Sequence, residues 1–212
     1  MTWFWDTRLL RYVNEDGGVV SRETLEVYLE RIIQTVQPLL NRWAEAVANQ
    51  TMTPAEFRLA MRQEIKDAYI NAYTLARGGR EQMTKSDWGK TGSQIADQYK
   101  YLERFTAELE EKTLSEGEIR NRAGMYLNSS REGFEAAKLR VAKLGGFDEV
   151  LWLLLPGSDH CEDCETFALM GWQQIDDDPY EGAVPGSGKT RCLTGCHCSI
   201  NYRNSATGET YY

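Results

Sequence analysis

All five cysteines of this 212-residue chain lie between positions 161 and 198, and the 160 residues before them contain none. They read Cys161-Glu-Asp-Cys164, then 27 residues, then Cys192-Leu-Thr-Gly-Cys196-His-Cys198. Two tight groups of soft donors joined by a loop are what a tetrahedral zinc site requires, and such a site would pin both ends of that loop. A CxxC pair sets two sulfurs on one side of an ion, and the second group supplies the other two. Cys161 and Cys164 are the firmest pair. Cys192, Cys196 and Cys198 compete for the remaining places, so that four of these five bind, with His160 and His197 as reserves. Cys196 and Cys198 share a side if their segment is extended; Cys192 and Cys196 form a CxxxC alternative. Four sulfur ligands close the coordination sphere, which favours a structural Zn2+ over a catalytic one.

Other uses of the cysteines fit less well. A secreted disulfide framework favours an even count and a leader, and the Met1–Asp6 segment has neither a basic start nor a long apolar run. A thiol oxidoreductase built on Cys161 and Cys164 wants its CxxC at a strand-to-helix turn of a βαβ unit, and no such unit is legible. His160 and His197 each adjoin a cysteine, but a cysteine crowded into a metal-type cluster is a poor nucleophile. A zinc deaminase is excluded because His160-Cys-Glu162 belongs to the same knuckle as the CxxC.

Two further motifs carry little. Ala183-Val-Pro-Gly-Ser-Gly-Lys189-Thr190 has the outline of a phosphate loop. It lacks the preceding strand and the following helix that aim backbone N–H groups at a phosphate. Asp176, Asp177 and Asp178 lack the alternation of a calcium loop and read as a solvated acidic turn.

The charge is unevenly placed. Residues 148–212 hold eleven acidic and three basic side chains, leaving twenty-one of each for residues 1–147. Zinc modules that grip nucleic acid are normally basic, so the acidic third argues against a zinc-dependent nucleic-acid-binding or regulatory protein. The longest apolar run, Val150–Leu155, is far below the roughly 20 residues of a membrane span.

Upstream of residue 147 the spacing predicts four helices. One runs from about Ser21 to Asn49 with Leu25, Leu29, Ile32, Ile33, Val36, Leu40, Trp43 and Val47 inward, kinked or split at Pro38. Thr53-Pro54-Ala-Glu56 opens a second with a capping box. It carries Phe57, Met61, Ile65, Ala68, Tyr69, Ala72 and Ala76 inward and ends at Gly78-Gly79. A polar loop to about Gly92 precedes a third, Ser93 to Lys112. A fourth starts near Ser115 and runs to Gly145-Gly146, with Ile119, Ala123, Tyr126, Leu127, Phe134, Ala137, Val141 and Leu144 inward. Trp3, Phe4 and Trp5 are expected to pack in the core more readily than to anchor a partner. Beyond the helices, Glu149–Leu155 and Ser199–Tyr202 read as strands. The fold class is therefore α+β. An elongated, mostly α-helical domain over 1–147 precedes a small β- and loop-rich zinc-binding module over 148–212.

The segment Val150-Leu-Trp152 … Asp159-His-Cys161-Glu-Asp-Cys164, with Pro185 … Cys192 … Cys196-His-Cys198-Ser-Ile200, resembles the C-terminal module of phage head morphogenesis proteins. These are minor head proteins related to the F protein of phage Mu. Arg120-Asn-Arg122 … Ser129-Ser130-Arg131 … Ala136-Ala137 is similar to the helix preceding that module. The likeness is best over residues 115–203. This chain departs from it in having Cys192 where many relatives have histidine, and in a spacing to Cys196 one residue longer. The resemblance implies a low-copy, non-enzymatic virion protein, made in the host cytoplasm and placed at the portal or capsid interior. It further implies contacts with the portal protein, the major capsid protein or both, with packaged DNA as an additional contact, in multiple copies within a larger assembly. No fused toxin or enzyme domain is expected in the ten residues after Tyr202.

Overall fold

Three helices open on the same device. Thr53, Thr84 and Ser115 each accept a backbone N–H three residues on, and Glu56, Asp87 and Glu118 reach back to the capping residue's own N–H. These reciprocal bonds satisfy donors that a helix start otherwise leaves orphaned. They set the beginnings of α2 (Pro54–Arg77), α3 (Lys85–Glu111) and α4 (Glu116–Asn128). The computed structural model describes residues 3–211; Met1, Thr2 and Tyr212, at the outer ends of the two expected segments, lie outside them.

The start of α3 corrects the expectation of a loop to Gly92: the helix begins at Lys85. Asp87 both caps it and takes Arg77 at 3.2 Å, Arg140 at 2.7 Å and the Tyr73 hydroxyl at 3.1 Å. The apparently polar stretch thus turns its acid inward. The expected fourth helix is two, α4 and α5 (Ser130–Leu144). The hydroxyls of Ser129 and Ser130 donate to the carbonyls of Tyr126 and Leu127, both at 2.7 Å, competing with the helical ladder at the break. Leu144, expected inward, is 65% exposed at the end of α5. By contrast α1 (Arg22–Ala48) runs through Pro38 without a split. Proline removes one ladder bond, and buried Ile33 and Leu40 hold the turns on either side.

Every inward position assigned to α2 is buried, and α2 packs against α1, α3 and α5 at the centre of the core. Two sheets flank it. A hairpin of β1 (Trp3–Asp6) and β2 (Arg11–Asn14) lays Trp3 and Trp5 into the core and leaves Phe4 41% exposed. The C-terminal sheet has the order β4 (Gln173–Gln174), β3 (Glu149–Leu153), β5 (Ser199–Arg203), β6 (Thr210–Tyr211), all antiparallel. Strand β3 stops two residues short of expectation because its partner runs out where Leu153 meets Ser199, next to Cys198.

Pairing sets Trp152 opposite Ile200 and Val150 opposite Tyr202, and all four are buried on the period-2 face that meets the helices. The two chain ends meet in an aromatic group. Tyr12 and Tyr211 share a hydrogen bond at 2.7 Å, and Trp5 stands edge-on to Tyr211. One hydrophobic cluster therefore includes Leu25, Phe57, Phe134, Trp152 and Tyr202, on both sides of residue 147. Among the described residues no helix is long and apolar enough to cross a membrane.

Candidate metal centre

Strand β3 leads through Pro156-Gly157 to Cys161, which caps a short helix, α6 (Glu162–Leu169). The CxxC therefore sits on the first turn of a helix, which the spacing did not predict. Phe167 of α6 packs against Trp152 and Tyr180, and the backbone N–H of Trp152 donates to the Tyr180 hydroxyl at 2.9 Å. The helix is thereby fixed to the sheet and to the long loop at once.

The loop's far end is clamped to the same helix. Asp163, inside the CxxC, accepts the backbone N–H of Arg191 at 2.7 Å, and the Arg191 guanidinium pairs with Glu162 and Asp163. This brings Cys192 to the CxxC. A 3-10 turn, Leu193–Gly195, then carries the chain to Cys196 and Cys198, which lead into β5. Leu193 holds a φ of 53°, a left-handed conformation usually left to glycine.

The five sulfurs converge on Cys164, which is 1% exposed. Its Sγ lies 3.5 Å from Cys161, 3.7 Å from Cys192 and 3.6 Å from Cys196. A zinc–sulfur bond of about 2.3 Å implies a tetrahedral edge of about 3.8 Å, close to these values. Two sets lie mutually within 4.8 Å: Cys161, Cys164 and Cys192, and Cys164, Cys196 and Cys198. Cys196 and Cys198 thus face one way, as an extended segment predicts. The cluster could hold a metal ion, and Cys164 is the sulfur common to both sets.

The donors are primed for ionisation unequally. A hydrogen bond from Cys196 overcomes burial and holds Cys198 down to about 5, helped by the Trp152 indole, Cys164 and His160. Burial opposes ionisation of Cys161, but the backbone N–H groups of Cys164 and Cys192 outweigh it and keep that thiol below its ordinary value. Burial pushes Cys164 up, as does its bond to Cys161. Donation to Cys198, then burial, pushes Cys196 up. Thiols this close cannot all ionise without a compensating cation, and an all-sulfur donor set suits a soft or borderline one.

The histidines divide. His160 Nδ1 lies 3.8 Å from Cys198 Sγ, whereas His197 Nδ1 is 3.8 Å from Glu30 of α1. Thr190 adds a contact not foreseen from spacing: its hydroxyl lies 3.2 Å from Cys192 Sγ. Opposite charges beside the two cysteine groups, Glu162 and Asp163 against Arg191, were the one sequence signal for the clamp.

The remaining motifs behave as ordinary loop. Lys189 donates to the carbonyl of Glu181 at 3.3 Å within its own loop, which is flanked by short 3-10 turns rather than by a strand running into it and an α-helix running out to cradle a phosphate. Asp176 pairs with Lys143 at 2.7 Å, and Asp178 accepts the Gly182 N–H at 2.7 Å. Comparison with models of known protein families, with curated proteins and with solved structures finds no match for this chain.

Proposed function

We propose that this chain is a structural and assembly component of a phage head, with a C-terminal third held in shape by one zinc ion. The observation that carries the metal reading is Cys164, buried with three further sulfurs at 3.5–3.7 Å. Four thiolates on Zn2+ leave no open position for water, so the ion's role is to hold the segment over residues 165–191 on the sheet. The head-protein reading is supported by the resemblance over residues 115–203, in which the tryptophan strand and the C-x-C strand are neighbours. Its partners are then portal and major capsid proteins, with packaged DNA as an additional contact, and its place is the virion.

Two measurements test this. Elemental analysis of reduced protein purified without added metal is expected to find one zinc per chain. Metal-free protein that is fully folded through residue 203 overturns the metal reading. Mass spectrometry of purified particles from the phage that encodes the chain is expected to detect it at low copy; its absence overturns the head reading.

One observation favours a second reading. Cys161 and Cys164 stand at a helix N-terminus with sulfurs 3.5 Å apart, the position of a dithiol that exchanges disulfides. Native thiol titration separates the two. Zinc shields the cysteines until a chelator is added, whereas a redox dithiol reacts at once and is indifferent to the chelator.

A further inference from the structure

Between the start of α3 and the second half of α5 lies an open cleft of about 410 Å³. Its lining holds three cations, Lys90 of α3 with Arg140 and Lys143 of α5, and no carboxylate. Ser86 adds a hydroxyl from the first turn of α3, and Ala136 and Leu139 add apolar wall. All four polar side chains are within reach of solvent. Lys90 and Ser86 are exposed, the Lys143 side chain is 47% exposed and that of Arg140 is 37% exposed.

Single surface cations are ordinarily solvated and call for no ligand. Here three stand on the two helices that wall one concavity, in a chain whose net charge is −8. The carboxylates nearby do not use them up. Asp87 meets Arg140 Nε at 2.7 Å, but it is shared with Arg77 at 3.2 Å. Asp176 meets Lys143 at 2.7 Å, yet its side chain is 91% exposed, and an ion pair so solvated is worth little and exchanges readily. Lys90 also borders the neighbouring cavity that holds Glu132 and Asp178, but it pairs with no carboxylate among the described residues. Four cations, with Arg77 counted, thus meet the two carboxylates Asp87 and Asp176, which leaves two positive charges.

We infer that this cleft binds the phosphate of a small phosphomonoester, with the organic part of the ligand against Ala136 and Leu139. The charge of such a group at neutral pH, about −1.5 to −2, matches the surplus. An arginine fork suits phosphate oxygens, and the contact with Asp87 fixes this guanidinium in place. The two lysines act as point charges, and the Ser86 hydroxyl is a further donor. The concave shape favours a single phosphate over a nucleic-acid backbone. A polyanion needs a basic stripe to lie along, and the acidic remainder of this chain repels it. The site shares no residue with the cysteine cluster and stands whether or not the chain is a head protein.

The test is titration of the full chain with phenyl phosphate at about 0.1 M salt, which screens attraction from distant charges. Phenol and a single-stranded oligonucleotide without terminal phosphates serve as comparisons, and backbone amide NMR reports the site. Phenyl phosphate is expected to shift the signals of Ser86 and Lys90, and phenol to leave them in place. Lys90→Gln combined with Lys143→Gln changes two exposed side chains, so the fold is kept. It is expected to weaken phenyl phosphate by about tenfold or more. Lys66→Gln removes an exposed cation of α2 outside the cleft and is expected to leave the affinity unchanged. The assignment is overturned if phenyl phosphate does not move the two signals, or if phenol moves them as far. It is equally overturned if the double variant keeps full affinity, or if Lys66→Gln weakens binding as much as the double variant does. An oligonucleotide that binds more tightly than phenyl phosphate and displaces it also overturns the assignment, because the cleft is then part of a polyanion track.

Discussion

The ammonium group of Lys138 donates to the carbonyl oxygen of Ile200 at 2.8 Å, joining α5 to the strand that carries the chain out of Cys198. Lys138 is 1% exposed and pairs at 3.2 Å with Glu135, itself buried one turn earlier on the same helix. A buried lysine is expensive unless its charge is matched and its donors are used. Here it sets the height at which the sheet rests on the helices, so the cysteine cluster inherits its placement from a polar contact inside an apolar core.

Lys138→Met is therefore expected to cost about 3–5 kcal/mol, because it takes the cation out of a buried ion pair and the donor away from the Ile200 carbonyl. Adding Glu135→Leu to it is expected to recover most of that loss. Urea denaturation of the two variants checks both statements. A single variant within about 1 kcal/mol of the parent would show that the pair is energetically idle.

Asp87 makes acid sensitivity predictable. Burial alone would raise its carboxyl. The backbone N–H and hydroxyl of Thr84, then Arg77 and Arg140, more than offset this and hold it below the ordinary value. A folded-state value depressed in this way contributes stability that is complete above the unfolded value of about 3.9 and disappears as pH falls through the folded one. Asp87→Asn is expected to lower stability at pH 7 by about 3–5 kcal/mol, since Arg77 stays buried without its acid. It is also expected to flatten the decline below pH 4. Urea midpoints from pH 2.5 to 7 measure both. An unchanged acid limb would mean that other carboxylates dominate it.

Gly78 is the left-handed cap of α2, with φ of 80°, and a β-carbon there would run into the backbone of Trp5 and Phe4 in the hairpin. Gly146 has nearly the same φ, 78°, with nothing within 4 Å of such a carbon. Gly146→Ala is expected to cost only the conformational penalty, about 1–2 kcal/mol. Gly78→Ala is expected to cost more than about 3 kcal/mol, because backbone cannot move aside as a side chain can. Thermal melts of the two variants give the difference, which isolates the seating of β1 on α2. Equal losses would refute that close approach.

What the sequence displays is what periodicity and capping encode. The stripe Phe57, Met61, Ile65, Ala68, Tyr69 is buried without exception because 3.6-residue spacing and a proline-led cap agree over 24 residues of α2. The convergence of five cysteines was legible because few other arrangements use sulfur in such groups. The start of α3 was hidden because Thr84-x-x-Asp87 lies in a stretch that reads as polar loop until Arg77 and Arg140 are seen to draw the aspartate inward. The break at Ser129 was hidden because apolar spacing carries on across it.

Cys164 is the sulfur shared by both close sets, so its loss and the loss of a peripheral sulfur differ in kind. Cys164→Ser removes the vertex on which Cys161, Cys192 and Cys196 all converge. It is expected to abolish stoichiometric metal binding and to loosen the segment over residues 165–191. Cys198→Ser leaves four sulfurs, three of them 3.5–3.7 Å from the fourth, Cys164, and is expected to retain one ion per chain. Cobalt substitution reports both, because thiolate-to-metal charge-transfer intensity scales with the number of sulfurs bound. Full metal content in Cys164→Ser would show that the ion does not sit where the sulfurs meet. Loss of the ion in Cys198→Ser would instead place that thiol in the coordination sphere, beside His160, and leave Cys161 or Cys192 as the spare.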